Sequence, residues 1–289
     1  MESARDDAHP DITDDRPEVG EPIAIADPAD PRVAAFADVR ERELAAREGL
    51  FVGETLVVLE AMLRKPATIR AVLASPRMLD RTRAMLASAC CAAPLYTAGD
   101  EVLAALTGID LHRGVLAVGL RAPFEAIDPA RWNPATPPRT VLVAEDITNI
   151  DNIGQLFRIA AAFAVDAVLL SPTCHDPLYR KSLRVSTGNA LKVQALRARR
   201  WPDDLVALRA RFGLEIVATA IQSSVPIASI GEPARVAIVV GHEGNGVSTD
   251  VRALADHVVR IPMAAGVDSL NVAVSAAIAL DRLSRGERA

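Results

Sequence analysis

The chain has 289 residues, enough for two domains with real hydrophobic cores, and half of it is apolar although only 3% is aromatic. Its three cysteines, Cys90, Cys91 and Cys174, form no metal-ligand spacing and no even disulfide set, so neither a metal nor a disulfide framework is expected. The net charge of −5 is uneven: residues 1–31 carry ten acids and two bases, leaving 30 bases against 27 acids, a slightly basic remainder that permits an anionic partner without arguing for one.

Residues 1–31 hold prolines and almost no large apolar side chains, the composition of a disordered acidic tail, and such a start is neither a signal peptide nor a transit peptide. From Pro31 the pattern changes. Val33 to Arg47 reads as a charged, alanine-rich helix and Gly49 to Gly53 as a short strand. Glu54 to Arg64 reads as an amphipathic helix, with Leu56, Leu59, Met62 and Leu63 at roughly helical spacing. Ile69 to Ala74 is a second strand, Met78 to Cys90 another helix and Gly114 to Val118 a third strand, so 32–122 is expected to be a small α/β unit. Pro123, Pro129, Pro134, Pro137 and Pro138 then crowd a linker, 123–138, in which no helix could persist.

Over 139–289 apolar runs alternate with helical segments. The candidate strands are Val141–Glu145, Ala167–Ser171, Glu215–Thr219, Val236–Val240 and His257–Ile261. The candidate helices are Ile153–Ala164, Asp203–Phe212, Ser248–Leu254 and Ser269–Leu283. Continuous apolar strands separated by helices are the pattern of an α/β fold whose parallel sheet is covered on both faces. Ligands of such sheets sit beyond the C-terminal ends of the strands, which directs attention to the segments after 145, 219, 240 and 261. The longest strongly apolar stretch, Ser269 to Leu280, is too short to span a bilayer, and a reducing cytoplasm is the expected location.

Three segments carry candidate chemistry. In Asn149–Phe163, Asn152 is placed to cap the following helix, and Ile153, Phe157, Ala160, Ala161 and Ala164 form its buried stripe. Arg158 is the only charge between Ile153 and Val165, and an arginine there ordinarily reaches solvent or pairs with an acid. In Val239–Ser248, three glycines in six residues let a backbone wrap closely around a ligand. The glycine order is not a dinucleotide fingerprint, no Gly-Lys-Ser/Thr follows, and Glu243 suits a cationic or polar ligand better than a phosphate. His242 beside it could be a base, but a lone histidine at a strand end is more often a hydrogen-bonded structural residue. In Ile261–Ser275, a loop turns at Gly266 before a long apolar helix. There Ser269 reads as the N-cap and Asn271 as a partner for a free amide, with no nucleophile elbow in sight. Between the first two segments, 177–202 holds seven bases and no acid. Arg180, Lys181, Arg184, Arg197, Arg199 and Arg200 among them favour an anionic partner such as an RNA backbone.

The order of these segments is more specific than any one of them. N-x-G-x-x-x-R-x-A-x-x-F, then R-x-S-x-G at Arg184, Ser186 and Gly188, then G-x-E-G-x-G, then I-P-M through S-L-N-V-x-V-S resembles the SpoU (TrmH-like) family of SPOUT RNA methyltransferases. The likeness covers roughly 139–285, and Gly49–Glu54 and His112–Val118 are similar to the substrate-binding domain, a ribosomal-protein-like RNA-binding fold, that many members carry. The resemblance implies a deep trefoil knot, a homodimer, and S-adenosylmethionine bound around Thr219, Ala220, Gly241, Glu243, Gly244, Gly246, Ile261, Met263 and Leu270. It places Asn152, Arg158, Glu243, Ser269 and Asn271 in the active site, methylating a ribose 2′-hydroxyl, with ribosomal RNA the leading substrate and transfer RNA the runner-up. Arginine stays protonated near neutral pH, so Arg158 is expected to stabilise a developing alkoxide rather than act as a resting base. A catalytically silent RNA-binding protein and an unknotted Rossmann-type enzyme are the competing readings. Three positions depart from the usual pattern: Asn149-Ile150 where many members have Asp-Pro, Ala164 where glycine is common, and Asn189 after Gly188.

Overall fold

A computed structural model describes residues 20–37, 49–108 and 114–284. The first part of the chain makes a five-stranded mixed sheet from β1 (Ile23–Ala24), β2 (Leu50–Glu54), β3 (Ile69–Ala74), β4 (Leu95–Thr97) and β5 (Val115–Leu120), in the order β1-β4-β3-β5-β2. The helices α1 (Leu56–Met62), α2 (Leu79–Ser88) and α3 (Asp100–Thr107) accompany it. The elements absent from the sequence reading, β1, β4 and α3, are eight residues or fewer, too short for periodicity to register.

Two expected boundaries are corrected. Residues 20–31 belong to the fold rather than to a tail: Ile25 is buried and β1 pairs in parallel with β4. Three apolar residues, Ile23 to Ile25, are sufficient for that pairing, and the acidic average around them concealed it. Pro31–Phe36 is a 3-10 turn that buries Val33 and Phe36, where a longer helix was expected to begin. The rest of the expected tail (1–19), the rest of that helix (38–47) and the His112-Arg113 end of the resemblance lie outside the described residues. The proline-rich stretch 123–138 does exclude longer helices, leaving single 3-10 turns at Ala122–Phe124 and Pro129–Arg131. It is nevertheless packed: Phe124 and Trp132 are buried, and Ile127 extends the second sheet, donating to the Ala195 carbonyl (3.1 Å) and accepting from the Arg197 amide (3.0 Å).

That second sheet has six strands, β6 (Thr140–Ala144), β7 (Ala167–Leu170), β8 (Gln194–Arg197), β9 (Glu215–Thr219), β10 (Val236–Val240) and β11 (His257–Val259). All its pairings are parallel and the order is β11-β9-β10-β6-β7-β8. Its helices are α4 (Ile150–Ala162), α5 (Arg180–Val185), α6 (Asp203–Phe212), α7 (Thr249–Leu254) and α8 (Val272–Leu283). Because alternate strand residues face opposite ways, two cores form. Leu142, Val168, Val217 and Ile238 pack with Phe157 of α4 and Leu280 of α8, while Val141, Leu169, Ile216 and Val239 pack with Leu205 and Leu208 of α6. The strand order reverses beside β6, with β7 and β8 on one side and β10 and β9 on the other, which opens a crevice at the strands' C-terminal ends.

The two sheets' units are packed against each other. Helix α5 lies against β2, where Arg184 Nη1 meets Glu54 Oε2 at 2.9 Å, and Arg121 Nη2 pairs with Asp176 Oδ2 at 2.5 Å. Among the described residues no helix is long and apolar enough to cross a membrane.

Candidate functional site

At the C-terminal ends of β9, β10 and β11 the chain leaves an open cleft. All nine residues expected to hold a cofactor line it: Thr219, Ala220, Gly241, Glu243, Gly244, Gly246, Ile261, Met263 and Leu270; Ser269 joins them. The glycine-rich loop makes one wall and closes on itself. A Cβ on Gly241 would lie 2.3 Å from the backbone of Gly246 and Val247, so only glycine fits that neck, and the Gly246 amide donates to the His242 carbonyl at 2.8 Å. His242 is structural, as its position at a strand end implied. Its Nδ1 accepts from the Gly244 amide at 2.9 Å. Gln222, Arg252 and Ser275 also line the cleft without having been expected there; Arg252 lies four residues beyond the cap of its helix, one turn past the glycine-rich segment, whereas Ser275 closes the last motif with no role assigned to it.

Beside the cleft three motif residues meet through a directional chain of amides. Asn271 is the N-cap of α8 and its Oδ1 accepts from the Ala273 amide at 2.9 Å. That fixes which end of the group is oxygen, so Nδ2 donates to Asn152 Oδ1 at 3.0 Å. Asn152 must then turn its own Nδ2 outward, where it donates to Glu243 Oε1. A free helix amide at one end therefore dictates an oriented carboxylate at the other.

Two capping expectations change accordingly. Asn149, not Asn152, caps α4, its Oδ1 accepting from the amides of Asp151 (2.8 Å) and Asn152 (3.2 Å). Asn152 sits inside the first turn, 5% exposed, with its side chain free to join the amide chain. Likewise Asn271 caps α8, and Ser269 precedes the helix on the cleft wall. The buried face of α4 holds Ile153, Phe157 and Ala160, whereas Ala161 is half-buried and Ala164 exposed. Gly154 is required by packing, because a Cβ there would lie 2.8 Å from the Ser182 carbonyl of α5.

Arg158 does not reach this cluster. It lies ~120° around the helix and ~9 Å along it from Asn152, on the exposed face of α4. Among the described residues its guanidinium has no hydrogen-bond or ion-pair partner.

The basic segment folds into α5 and β8, and the acids it lacks arrive from elsewhere. Arg184 pairs with Glu54, Lys181 with Asp151 (2.9 Å), Arg199 with Asp128 (3.4 Å) and Arg200 with Asp204 (3.4 Å). Arg180 is half-buried on α5. Arg197 points inward, donating to the carbonyls of Ser171, Pro172, Cys174 and His175 at 2.9–3.4 Å, so it ties down the turn after β7. Arg199 and Arg200 keep side chains 78% and 73% exposed. Burial pushes the Asp204 carboxyl up, but amide donation from Arg200 and Arg199 and the Arg200 charge outweigh it and hold the group below the usual carboxylate range. Burial pushes the Cys174 thiol up, despite hydrogen bonding from Ser171.

The sequence profile described as "SpoU rRNA Methylase family" matches residues 139–281. An uncharacterised tRNA/rRNA methyltransferase of Mycobacterium bovis is 37% identical over 270 residues, 90% of this chain and 91% of that protein. A 23S rRNA (guanosine(2553)-2′-O)-methyltransferase of Bacillus subtilis is 29% identical over 229 residues, 79% of this chain and 85% of its own. Among solved structures, the AdoMet-bound rRNA methyltransferase from Sinorhizobium meliloti shares the fold at 19% identity, with a TM-score of 0.74 over 91% of this chain and 97% of that one.

Proposed function

The chain belongs to the SpoU rRNA methylase family, and from that premise we propose that it transfers a methyl group from S-adenosylmethionine to a ribose 2′-hydroxyl of ribosomal RNA. The observation that carries this reading is the meeting of Asn152, Glu243 and Asn271, from three separate segments, at the edge of the glycine-walled cleft.

The cleft fits the cofactor chemically. Glu243 offers a carboxylate to a sulfonium or ammonium group, Arg252 a cation to a carboxylate, and Val240, Ile261, Met263 and Leu270 an apolar surface to a purine. The backbone of Thr219, Ala220, Gly241, Gly244 and Gly246 supplies further hydrogen-bonding groups. S-adenosylmethionine supplies an electrophilic methyl group when bound. The chain's own residues position the two reactants, since an in-line displacement gains most from orientation. The amide chain from Asn271 holds Glu243, and Ser269 contributes a hydroxyl on the same wall.

Arg158 stabilises the developing alkoxide. Its exposure and lack of a partner are what a residue acting across an interface requires, so the working unit is a homodimer in which Arg158 of a second copy completes each site. Val274 and Ile278, exposed one turn apart on α8, supply apolar surface for such a contact. The trefoil knot is supported by the path of the C-terminal segment. Arg260 pairs with Val225 and Ile227 of the β9–β10 connection, and Arg282 at the far end of α8 donates to the carbonyls of Ala228 and Ile230 in that same connection. The unit before 123 is assigned to RNA substrate binding and the enzyme to the cytoplasm, with Arg199 and Arg200 as exposed phosphate contacts.

Mapping ribose methylation across total RNA from cells with and without the chain tests the reading. One ribosomal nucleotide should lose its methyl group in the deletion and regain it on complementation. A change confined to transfer RNA would move the substrate to the runner-up, and no change in any RNA would defeat the enzymatic reading.

A further inference from the structure

Glu145 lies at the end of β6, 2% exposed, and among the described residues no guanidinium or ammonium is bonded to it. Its backbone amide donates to the Val240 carbonyl at 2.9 Å, the last residue before the glycine-rich loop. Its side chain reaches the first residue after that loop: Oε2 accepts from the Ser248 amide at 2.8 Å and Oε1 from the Ser248 hydroxyl at 2.7 Å. Oε1 also accepts from the Trp201 indole N–H at 2.8 Å. Between Val240 and Ser248 lie seven residues, 241–247, and every one of them lines the cleft. One residue of a neighbouring strand thus holds both ends of the whole loop.

A carboxylate taken out of water is costly unless donors replace the lost hydration, and three donors do so here. The arrangement has a mechanical consequence. The loop's inner geometry is set by the Gly241 neck, but its position relative to β9 and β11 depends on where Ser248 is fixed. We propose that Glu145 is the positioning residue of the cofactor loop, setting affinity for S-adenosylmethionine by clamping Val240 and Ser248 while touching no reactant itself. The inference rests on reading the cleft as the cofactor site.

The test uses the full chain and the variants Glu145→Gln, which keeps the shape but removes the charge and one acceptor, and Ser248→Ala, which removes the hydroxyl donor together with the N-cap of α7 but leaves the backbone amide on Glu145. In both, amide hydrogen exchange across 241–247 without ligand should quicken several-fold, and the Kd for S-adenosylhomocysteine should rise by ~10-fold or more, the scale of a lost charge-assisted hydrogen bond. Turnover at saturating cofactor should stay within about twofold and RNA affinity should not change, because bound cofactor restores the loop and the Asn271–Asn152 chain still holds Glu243. A general loss of folding would move all these readouts together. Unchanged exchange across 241–247 in Ser248→Ala, or equal losses of cofactor and RNA affinity, would overturn the clamp. A wild-type chain that binds no S-adenosylhomocysteine would defeat the cofactor reading instead, while the exchange data would still decide the clamp.

Discussion

Asn271 is a single amide with two demands on it, and satisfying the first decides the second. As the cap of α8 it contributes about 1 kcal/mol to the helix start, and the oxygen used there leaves only N–H groups for Asn152. Arg158 is the opposite case, a side chain with no hydrogen-bond or ion-pair partner among the described residues. Arg158→Ala should therefore leave the folded chain and its S-adenosylhomocysteine affinity intact yet slow methylation by at least ~10²-fold, the scale of one lost transition-state contact; unaltered turnover in a single-turnover assay would remove it from the chemistry. Two of the three departures from the family pattern also resolve at this scale. Asn149 caps α4 as an aspartate would, and Ile150 occupies the first helical position, where proline is merely favoured. Ala164 ends α4 in a Schellman turn at φ 51°, the conformation in which glycine is unstrained. Ala164→Gly should therefore raise stability by about 0.5–1 kcal/mol in urea unfolding, and a destabilised variant would show that this strain is not the controlling quantity.

Among the elements, α5 and β8 carry the basic segment, and they divide its charges into two kinds. Arg197 donates to four carbonyls of a turn and is a structural residue, whereas Arg199 and Arg200 project from the exit of β8 with most of their surface in solvent. Arg197→Ala should lower the unfolding free energy by about 1–3 kcal/mol, because the turn's carbonyls lose a charged donor, and should act through stability alone. Neutralising Arg199 and Arg200 together should leave the melting temperature nearly unchanged and make the salt dependence of RNA binding shallower. The same salt slope in that double variant and in the wild type would assign those arginines to ordinary solvated surface. The run's lack of acids was legible in the sequence, but its partners Glu54, Asp128 and Asp151 stand 30 to 130 positions away, and only packing brings them close.

On the scale of the whole molecule, the cleft and the solvent-facing Arg158 lie apart on one chain. If each site takes Arg158 from one copy and Glu243 from the other, two inactive variants can repair each other. Mixing Arg158→Ala with Glu243→Gln after co-refolding should restore about a quarter of wild-type activity, since half the dimers would be mixed and half of their sites intact. No recovery, with sedimentation showing mixed dimers, would place Arg158 and Glu243 in the same copy's site. Packing between the two units, through α5 on β2 and the Arg184–Glu54 and Arg121–Asp176 pairs, also fixes where the first unit sits relative to the cleft of the second.

Local sequence by itself determined five of the six strands of the parallel sheet and the helix Asp203–Phe212 to the residue, because long apolar runs act through neighbours in the chain. The strand β8 is too short and too basic to show as such a run, and most of the cleft wall is implied by the ordered family motifs rather than by local pattern. Only the tertiary structure decided which asparagine caps and which one reaches Glu243, which arginines are structural, and that Glu145 holds the loop. Each of those outcomes depends on hydrogen bonds between residues brought together by the sheet order, and a hydrogen bond is decided by a distance that no sequence spacing encodes.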